Sequence, residues 1–200
     1  MATIKQLLIF CIFLMLLLFA SCSLAKQHSQ IAVATFAGGC FWCTQADFDK
    51  VPGVIKTVVG YTGGSRAYPN YEQVSQGDTG YYEAVQVTYD SAQLSYQQLL
   101  NKFWHSIDPT DAKGQFCDKG DQYQAVIFYR DQLQKKLALA SREQLIQSAR
   151  FPHIATQILP EKIFYPAEVY HQKFYQKNPI RYRFYRYQCG RDQRLQELWG

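Results

Sequence analysis

The sequence predicts an α+β domain: a ferredoxin-like α/β sandwich with a β-α-β-β-α-β core, long loops and an extended C-terminal tail. Three observations carry this. Strand-like and helix-like stretches alternate along the chain from residue 31 onward. Two polar loops interrupt them, and loops above about a dozen residues inside a compact domain are usually functional. No repeat, low-complexity segment or Pro/Gly/Ser linker divides the chain, and 200 residues at 48% hydrophobic content suffice for one core.

The elements follow in order. Residues 31–37 are apolar and β-branched and predict a strand. Residues 41–51 predict a helix, stopped by Pro52-Gly53. Residues 54–61 form a second strand, ended by Thr62-Gly63-Gly64, and a Tyr-rich polar loop then runs to Tyr82. Residues 84–89 alternate as Ala-Val-Gln-Val-Thr-Tyr, the period of a half-buried strand. Residues 95–107 predict a helix with Leu99, Leu100 and Phe103 on one face and Ser95 as its cap. Asp108-Pro109 ends it, and residues 110–122 form the second polar loop. A strand over 123–129, the longest helix over 132–149, a short strand over 156–159 and a short helix over 167–176 complete the series.

Composition narrows the function. Only 18% of residues are charged, while 15 Tyr and 13 Phe argue against disorder. A net charge of +5 suggests neither a nucleic-acid binder nor a need for acidic partners, and a monomer is expected. Residues 1–25 read as a signal peptide: Lys5, an apolar run over 7–19, then Ser23-Leu24-Ala25 where a signal peptidase cuts. The run is short for a membrane span. Leu18-Phe19-Ala20-Ser21-Cys22 loosely resembles a bacterial lipobox, with Phe19 poorly suited to it, so lipid anchoring at Cys22 is the lesser alternative. The expected location is the bacterial periplasm or cell envelope, and residues 26–200 are the working domain.

Removing the leader takes away Cys11 and Cys22 and leaves Cys40, Cys43, Cys117 and Cys189. An exported chain with four cysteines would carry two structural disulfides in the plainest reading. A Cys-x-x-Cys pair, however, closes too small a loop to stabilise much by chain entropy.

The densest signal is Gly38-Gly39-Cys40-Phe41-Trp42-Cys43. A strand, two glycines and a thiol at a helix start favour the thiolate, because unpaired N–H groups and the helix dipole stabilise negative charge there. Cys40 is therefore the candidate nucleophile. Phe41 and Trp42 would line an apolar pocket; ordinary core packing is the alternative for either one alone. Two adjacent aromatics on a helix cannot both face the core, so one is expected near the surface. Glu83 precedes a strand among tyrosines, where desolvation would raise its pKa and let it donate a proton; a solvated strand-end carboxylate is the alternative. Asp118 and Tyr123 would fix a polar group of a substrate, against the reading of Cys117–Tyr123 as a surface turn. His105, His153 and His171 lack metal-site spacing, so no metal is expected. His171 is expected to sit in a helix with a structural hydrogen bond. Arg181-Tyr-Arg-Phe-Tyr-Arg-Tyr187 alternates basic and aromatic residues and reads as a wrapped tail with a solvated basic face rather than an RNA-stacking surface.

Taken together, these motifs resemble those of the peptide methionine sulfoxide reductase A family over residues 33–200. Gly39-Cys40-Phe41-Trp42 is the most specific element. Pro52-Gly53-Val54, Gly60-Tyr61-Thr62-Gly63-Gly64, Gly77-Asp78-Thr79-Gly80, Gly120-x-Gln122-Tyr123 and Cys189-Gly190-Arg191-Asp192 follow in order. The resemblance implies thiol-dependent reduction of methionine sulfoxide, S epimer, free or in oxidised proteins. It implies Cys40 as nucleophile, Glu83 as acid, Tyr71 and Tyr123 on the sulfoxide oxygen, Phe41 and Trp42 around the S-methyl group, and Asp118 in the site. It implies no metal or organic cofactor, and a thioredoxin-like reductant. Cys189 is favoured as the thiol that resolves the oxidised Cys40, from a Gly-flanked, mobile tail, with Cys43 as the alternative. Cys117 comes last, because it stands where the family usually has Asn. Cys43 likewise stands where many members have Gly. Two other classes remain. A thioredoxin-like thiol–disulfide oxidoreductase would explain Cys-x-x-Cys but leaves the Tyr/Asp loops without a role. A disulfide-stapled binding module would make Cys40 and Cys43 inert.

Overall fold

The computed structural model describes residues 30–200; the leader, with Cys11, Cys22 and the signal-peptide expectation, lies outside the described residues. The elements are β1 (Ile31–Gly38), α1 (Phe41–Phe48), β2 (Val54–Thr62), α2 (Tyr71–Ser75), β3 (Tyr82–Asp90), α3 (Tyr96–Trp104), β4 (Gly114–Gln115), β5 (Asp118–Lys119), a 3₁₀ turn (Asp121–Tyr123), β6 (Ala125–Tyr129), α4 (Gln132–Gln147), β7 (Gln157–Pro160), β8 (Tyr165–Pro166), α5 (Phe174–Lys177), α6 (Pro179–Gln188) and α7 (Arg191–Trp199).

The chain is mixed α/β around one six-stranded sheet in the order β7-β6-β1-β3-β2-β8. Four of its pairings are antiparallel, and β6 with β7 is parallel. Strand β1 is central and apolar, as its run of β-branched and aromatic residues requires. Its Phe36 stacks on Phe48 of α1 at 5.1 Å and on Phe103 of α3 at 5.0 Å, joining the two helices to one face of the sheet. Leu99 and Leu100 fill the same core, and Ala37, Ala84, Val126 and Phe128 pack together in a second cluster. Aromatic burial of this kind dominates core energetics.

Strand register positions the site. Phe36 pairs with Val85, so continuing that ladder by two residues brings Gly38 level with Glu83. Gly38 also pairs with Ala125, and Tyr61 with Glu83. The end of β1, the start of β3, the end of β2 and the start of β6 therefore share one edge of the sheet. Cys40, Glu83 and Tyr123 lie at or just beyond these strand ends.

Several expectations need correction. The Tyr-rich loop before Tyr82 contains α2, capped by Asn70 and Gln73 in a reciprocal box. The loop over 110–122 holds the β4–β5 hairpin. Residues 167–173 are not helical: Glu168 and Gln172 spend their side chains on Tyr61, Tyr71 and Val59, and Lys173 has a left-handed φ of 54°. Only Phe174–Lys177 is helix, so tertiary hydrogen bonds override local propensity here. The expected extended, mobile tail is two packed helices, α6 and α7. Pro179 sits in the first turn of α6, where its missing N–H costs nothing, and Tyr182 is buried. Arg186 is not a solvated cation; it pairs with Asp47 at 3.0 Å and Asp192 at 2.6 Å. No helix among the described residues is long and apolar enough to cross a membrane.

Ser95 caps α3 as the sequence predicts, accepting the N–H of Gln98 at 3.2 Å. Ser95→Ala is expected to cost about 1 kcal/mol of stability in urea unfolding while leaving activity unchanged, since the cap lies away from the thiols.

Candidate active site

Cys40 occupies the N-cap of α1, directly after the β1 turn. Gly39 has φ of 81°, and a Cβ there would lie 2.6 Å from Cβ of Gln115. Gln115 cannot easily yield, because its amide both accepts from the N–H of Asp108 and donates to the Asp108 carbonyl, each at 2.8 Å. The second glycine of the motif is thus required both by conformation and by space. Thr44 reaches back to the carbonyls of Gly38 and Cys40, closing the turn.

Glu83 is buried, and its Oε2 accepts the N–H of Phe41 at 2.9 Å. Its carboxyl is pushed up to about 8. Burial raises it, the Phe41 N–H pulls it back, and the Asp118 carboxylate pushes it up again. Cys40 is 7% exposed. Burial holds its thiol well above the ordinary range, with Cys43, Glu83 and Asp118 adding to the rise. This corrects the expectation of a thiolate stabilised by the helix start alone: in the free site, desolvation and neighbouring negative charge outweigh the dipole. Cys43 is pulled below the usual thiol range by the hydrogen bond from Cys40, against its own burial, with Arg191 and Arg186 helping. Its side chain packs with Ala46, Phe174 and Tyr182.

Phe41 is buried at 1% exposure, 5.9 Å from Tyr61 and 5.0 Å from His171. Trp42 is the half-buried one of the pair, stacked on Phe174 at 3.7 Å. Its Nε1 donates to Nδ1 of His171 at 2.9 Å. That imidazole is neutral, because burial depresses it to about 4. The structural hydrogen bond expected of His171 is present, although the residue lies in a turn. The Tyr71 ring lies 4.3 Å from the same imidazole, and its N–H is held by Glu168 at 2.8 Å. Burial raises the phenols of Tyr71, to about 12, and of Tyr123, and the charges of Glu83 and Cys40 act on both. Asp118 is half-buried and raised by burial, and it accepts the hydroxyl of Tyr185 at 2.6 Å. The Tyr185 ring in turn lies edge-on to Trp42 at 5.7 Å. Cys40, Glu83, Tyr71, Tyr123 and Asp118 are therefore close enough for their charges to act on one another, with Phe41 and Trp42 meeting at His171 beside them.

Three residues that sequence reasoning passed over build the walls. Glu168 fixes Tyr71 and Tyr61. Tyr185 links Asp118 to Trp42. Arg191, 1% exposed, donates to the carbonyls of Gly38 at 3.1 Å and Ser106 at 2.7 Å, and stacks on Phe116 at 4.5 Å. An arginine inside Cys-Gly-Arg-Asp was legible as a motif member, but nothing local marked it as buried.

The thiols are arranged differently from expectation. Cys189 is bonded to Cys117, 72 residues away, while Cys40 and Cys43 are free. The left-handed turn at Phe116 (φ 54°) brings Cys117 to the α6–α7 junction. Among the described residues, Cys117, Asp118 and Cys189 are the one His/Cys/Asp/Glu group close enough for a metal, and two of its three ligand atoms are spent on each other.

A model of the family described as peptide methionine sulfoxide reductase matches residues 32–200. The chain belongs to that family. Peptide methionine sulfoxide reductase MsrA of Bacillus subtilis is 51% identical over 169 residues, covering 84% of this chain and 96% of the relative. MsrA 2 of Caulobacter vibrioides is 45% identical over 178 residues, covering 89% of each. Among solved structures, reduced Mxr1 from Saccharomyces cerevisiae superposes with a TM-score of 0.69 at 34% identity, covering 76% of this chain and 87% of that one. Methionine sulfoxide reductase A of Corynebacterium diphtheriae gives 0.67 at 30% identity, covering 75% and 76%. As a member of this family the protein is an oxidoreductase that reduces methionine sulfoxide.

The raised Glu83 has a consequence for stability. Its folded pKa lies above its unfolded one, so its contribution is complete below the ordinary carboxylate range and is lost as pH rises through about 8. Between roughly pH 5 and pH 9 the urea midpoint of the wild type is expected to fall more than that of Glu83→Gln, which has no such proton to lose. Parallel profiles would show that Glu83 is ionised throughout.

Proposed function

We propose that the protein reduces the S epimer of methionine sulfoxide, free or in oxidised proteins, with Cys40 as nucleophile and Glu83 as acid. The observation that carries this is the buried Glu83 carboxyl, raised to about 8 and bonded to the amide next to Cys40. A protonated carboxyl there can give its proton to a sulfoxide oxygen as the sulfur is attacked. Tyr71 and Tyr123 keep their protons and offer hydroxyl donors to the same oxygen. Phe41 and Trp42 supply apolar surface for the S-methyl group. Cys40 attacks the sulfur and a bond forms between the two sulfurs; the S–O bond breaks, the protonated oxygen leaves as water, and water then attacks Cys40 Sγ, so that the bond to the substrate sulfur breaks, methionine leaves with the electron pair, and Cys40 is left as a sulfenic acid. Cys189 then resolves it, and a thioredoxin-like dithiol restores the enzyme. No step needs a metal or organic cofactor.

Around this reading we place a monomer exported to the bacterial periplasm or envelope, supported by the apolar run over 7–19 and the small residues after it. The β6-β1-β3-β2 order, with α1 and α3 in the crossovers, supports the ferredoxin-like description of the core. A plain thioredoxin-like oxidoreductase is disfavoured, because Cys43 packs into an apolar cluster and is closed to a partner protein.

Cys40→Ser is expected to abolish methionine formation from a sulfoxide peptide with dithiothreitol while leaving the fold intact. Glu83→Gln is expected to slow the single-turnover step about 10²–10⁴-fold, the usual scale of general acid catalysis. Turnover by Cys40→Ser would sink the mechanism, and an unchanged rate in Glu83→Gln would remove the acid.

A further inference from the structure

We propose that Cys117 is the last thiol of the redox relay: it takes the bond to Cys189 away from Cys40, and the Cys117–Cys189 disulfide is what the external dithiol meets. This rests on the reading of Cys40 and Cys189 above and adds a residue from a different loop.

The four thiols differ in access. Cys40 and Cys43 are buried, Cys189 is half-buried and Cys117 is exposed. A protein reductant needs direct contact between its sulfur and the sulfur it attacks. It can make that contact at Cys117 and not at Cys40. The Cys117–Cys189 bond also lies beside the reactive centre. Cys189 Sγ is 3.7 Å from Oδ2 of Asp118, the same oxygen holds the Tyr185 hydroxyl at 2.6 Å, and Gln115, two residues before Cys117, packs against Gly39, which precedes Cys40. The loop that carries Cys117 thus packs against the turn that carries the nucleophile. The N–H of Cys117 lies 3.2 Å from Cys189 Sγ, where it can stabilise negative charge on that sulfur as it attacks or leaves. Arg191 ties the parts together, stacking on Phe116 next to Cys117, bonding Gly38 before Cys40, and following Cys189 by two residues.

The steps balance. Cys189 attacks the sulfenic sulfur of Cys40; the S–O bond breaks, the oxygen leaves as water with the proton from Cys189, and a Cys40–Cys189 disulfide forms. The Cys117 thiolate then attacks Cys189 Sγ. The bond to Cys40 breaks, Cys40 leaves as thiolate and takes up the proton that Cys117 lost, and no net oxidation occurs in this exchange. A thioredoxin-like dithiol attacks Cys117 Sγ, displaces Cys189, and closes its own disulfide by expelling Cys117. Two electrons and two protons return both thiols. Because Cys40 is freed before any reductant arrives, it can attack a second sulfoxide.

The experiment is a burst measurement without reductant, with peptide mapping of alkylated protein. Excess sulfoxide peptide is expected to yield about two methionines per wild-type enzyme and about one for Cys117→Ser, where Cys40 stays trapped. After one equivalent of substrate, the wild type should carry Cys117–Cys189 with Cys40 alkylated, and Cys117→Ser should carry Cys40–Cys189. Cys117→Ser should turn over with dithiothreitol and lose at least about tenfold with thioredoxin. A wild-type Cys40–Cys189 product with Cys117 free would overturn the role of Cys117 alone. A Cys40–Cys43 product with Cys117 and Cys189 both free would overturn the Cys189 reading as well. Equal bursts and equal thioredoxin rates in wild type and Cys117→Ser would also overturn the relay.

Discussion

The hydrogen bond from the Phe41 amide to the buried Glu83 carboxyl is the contact on which the site depends. It joins the first turn of α1 to the first residues of β3, so a sheet edge and a helix start become one reactive centre. It also sets a chemical compromise. The amide favours the carboxylate, while burial favours the acid, and burial wins. The same desolvation keeps Cys40 protonated in the free site. Carboxyl and thiol are therefore both held neutral by one dry environment. In the proposed mechanism Glu83 thus waits in its proton-donating form, and only Cys40 has to give up a proton as it attacks. A helix dipole acting alone would have produced a thiolate open to indiscriminate oxidation.

A second constraint comes from the C-terminal helices. Asp47 on α1 faces Arg186 at 3.0 Å and Arg191 at 3.8 Å. Arg191 also satisfies two carbonyls that the ends of β1 and α3 leave exposed to the interior. Buried carbonyls without a partner are costly, so the first residue of the last helix completes the packing of the first strand. Tyr182 and Tyr185 press on the same helix, beside Cys43 and Trp42. The C-terminal segment is thus a wall of the site.

Much of this was legible in the sequence. Alternation in residues 84–89, the Ser95 cap and the Gly-Gly-Cys turn each reflect local physics, and local physics is what a sequence displays. Asn70-Tyr-Glu-Gln73 was equally legible as a capping box, though Tyr and Gly around it suggested a loop. Residues 167–176 misled for the opposite reason: their helical pattern is real, but Glu168, Gln172 and Lys173 find better partners on α2, β2 and α1. In the site, Cys40 announced itself through its neighbours. Glu83, Tyr71, Tyr123 and Asp118 stood out chiefly through family resemblance, because nothing local distinguishes a desolvated carboxylate from a wet one. Arg191 was opaque, since charge predicts exposure unless a distant carbonyl is known.

The anchored and the reactive parts of the C-terminal segment are separated by a single residue. Cys189 ends α6, Arg191 begins α7, and Gly190 between them has φ of 67° with no atom within 4 Å of where a Cβ would stand. A left-handed link of this kind costs glycine little and other residues more. Arg191 can keep its grip on Gly38 and Ser106 while the backbone at Gly190 adjusts the direction of Cys189. Arg191 fixes the segment to the end of β1 on one side of that glycine, and the Cys117–Cys189 bond fixes it beside Asp118 on the other. The tail is therefore held on both sides of Gly190, by the hydrogen bonds of Arg191 on one and by the disulfide of Cys189 and the burial of Tyr182 on the other.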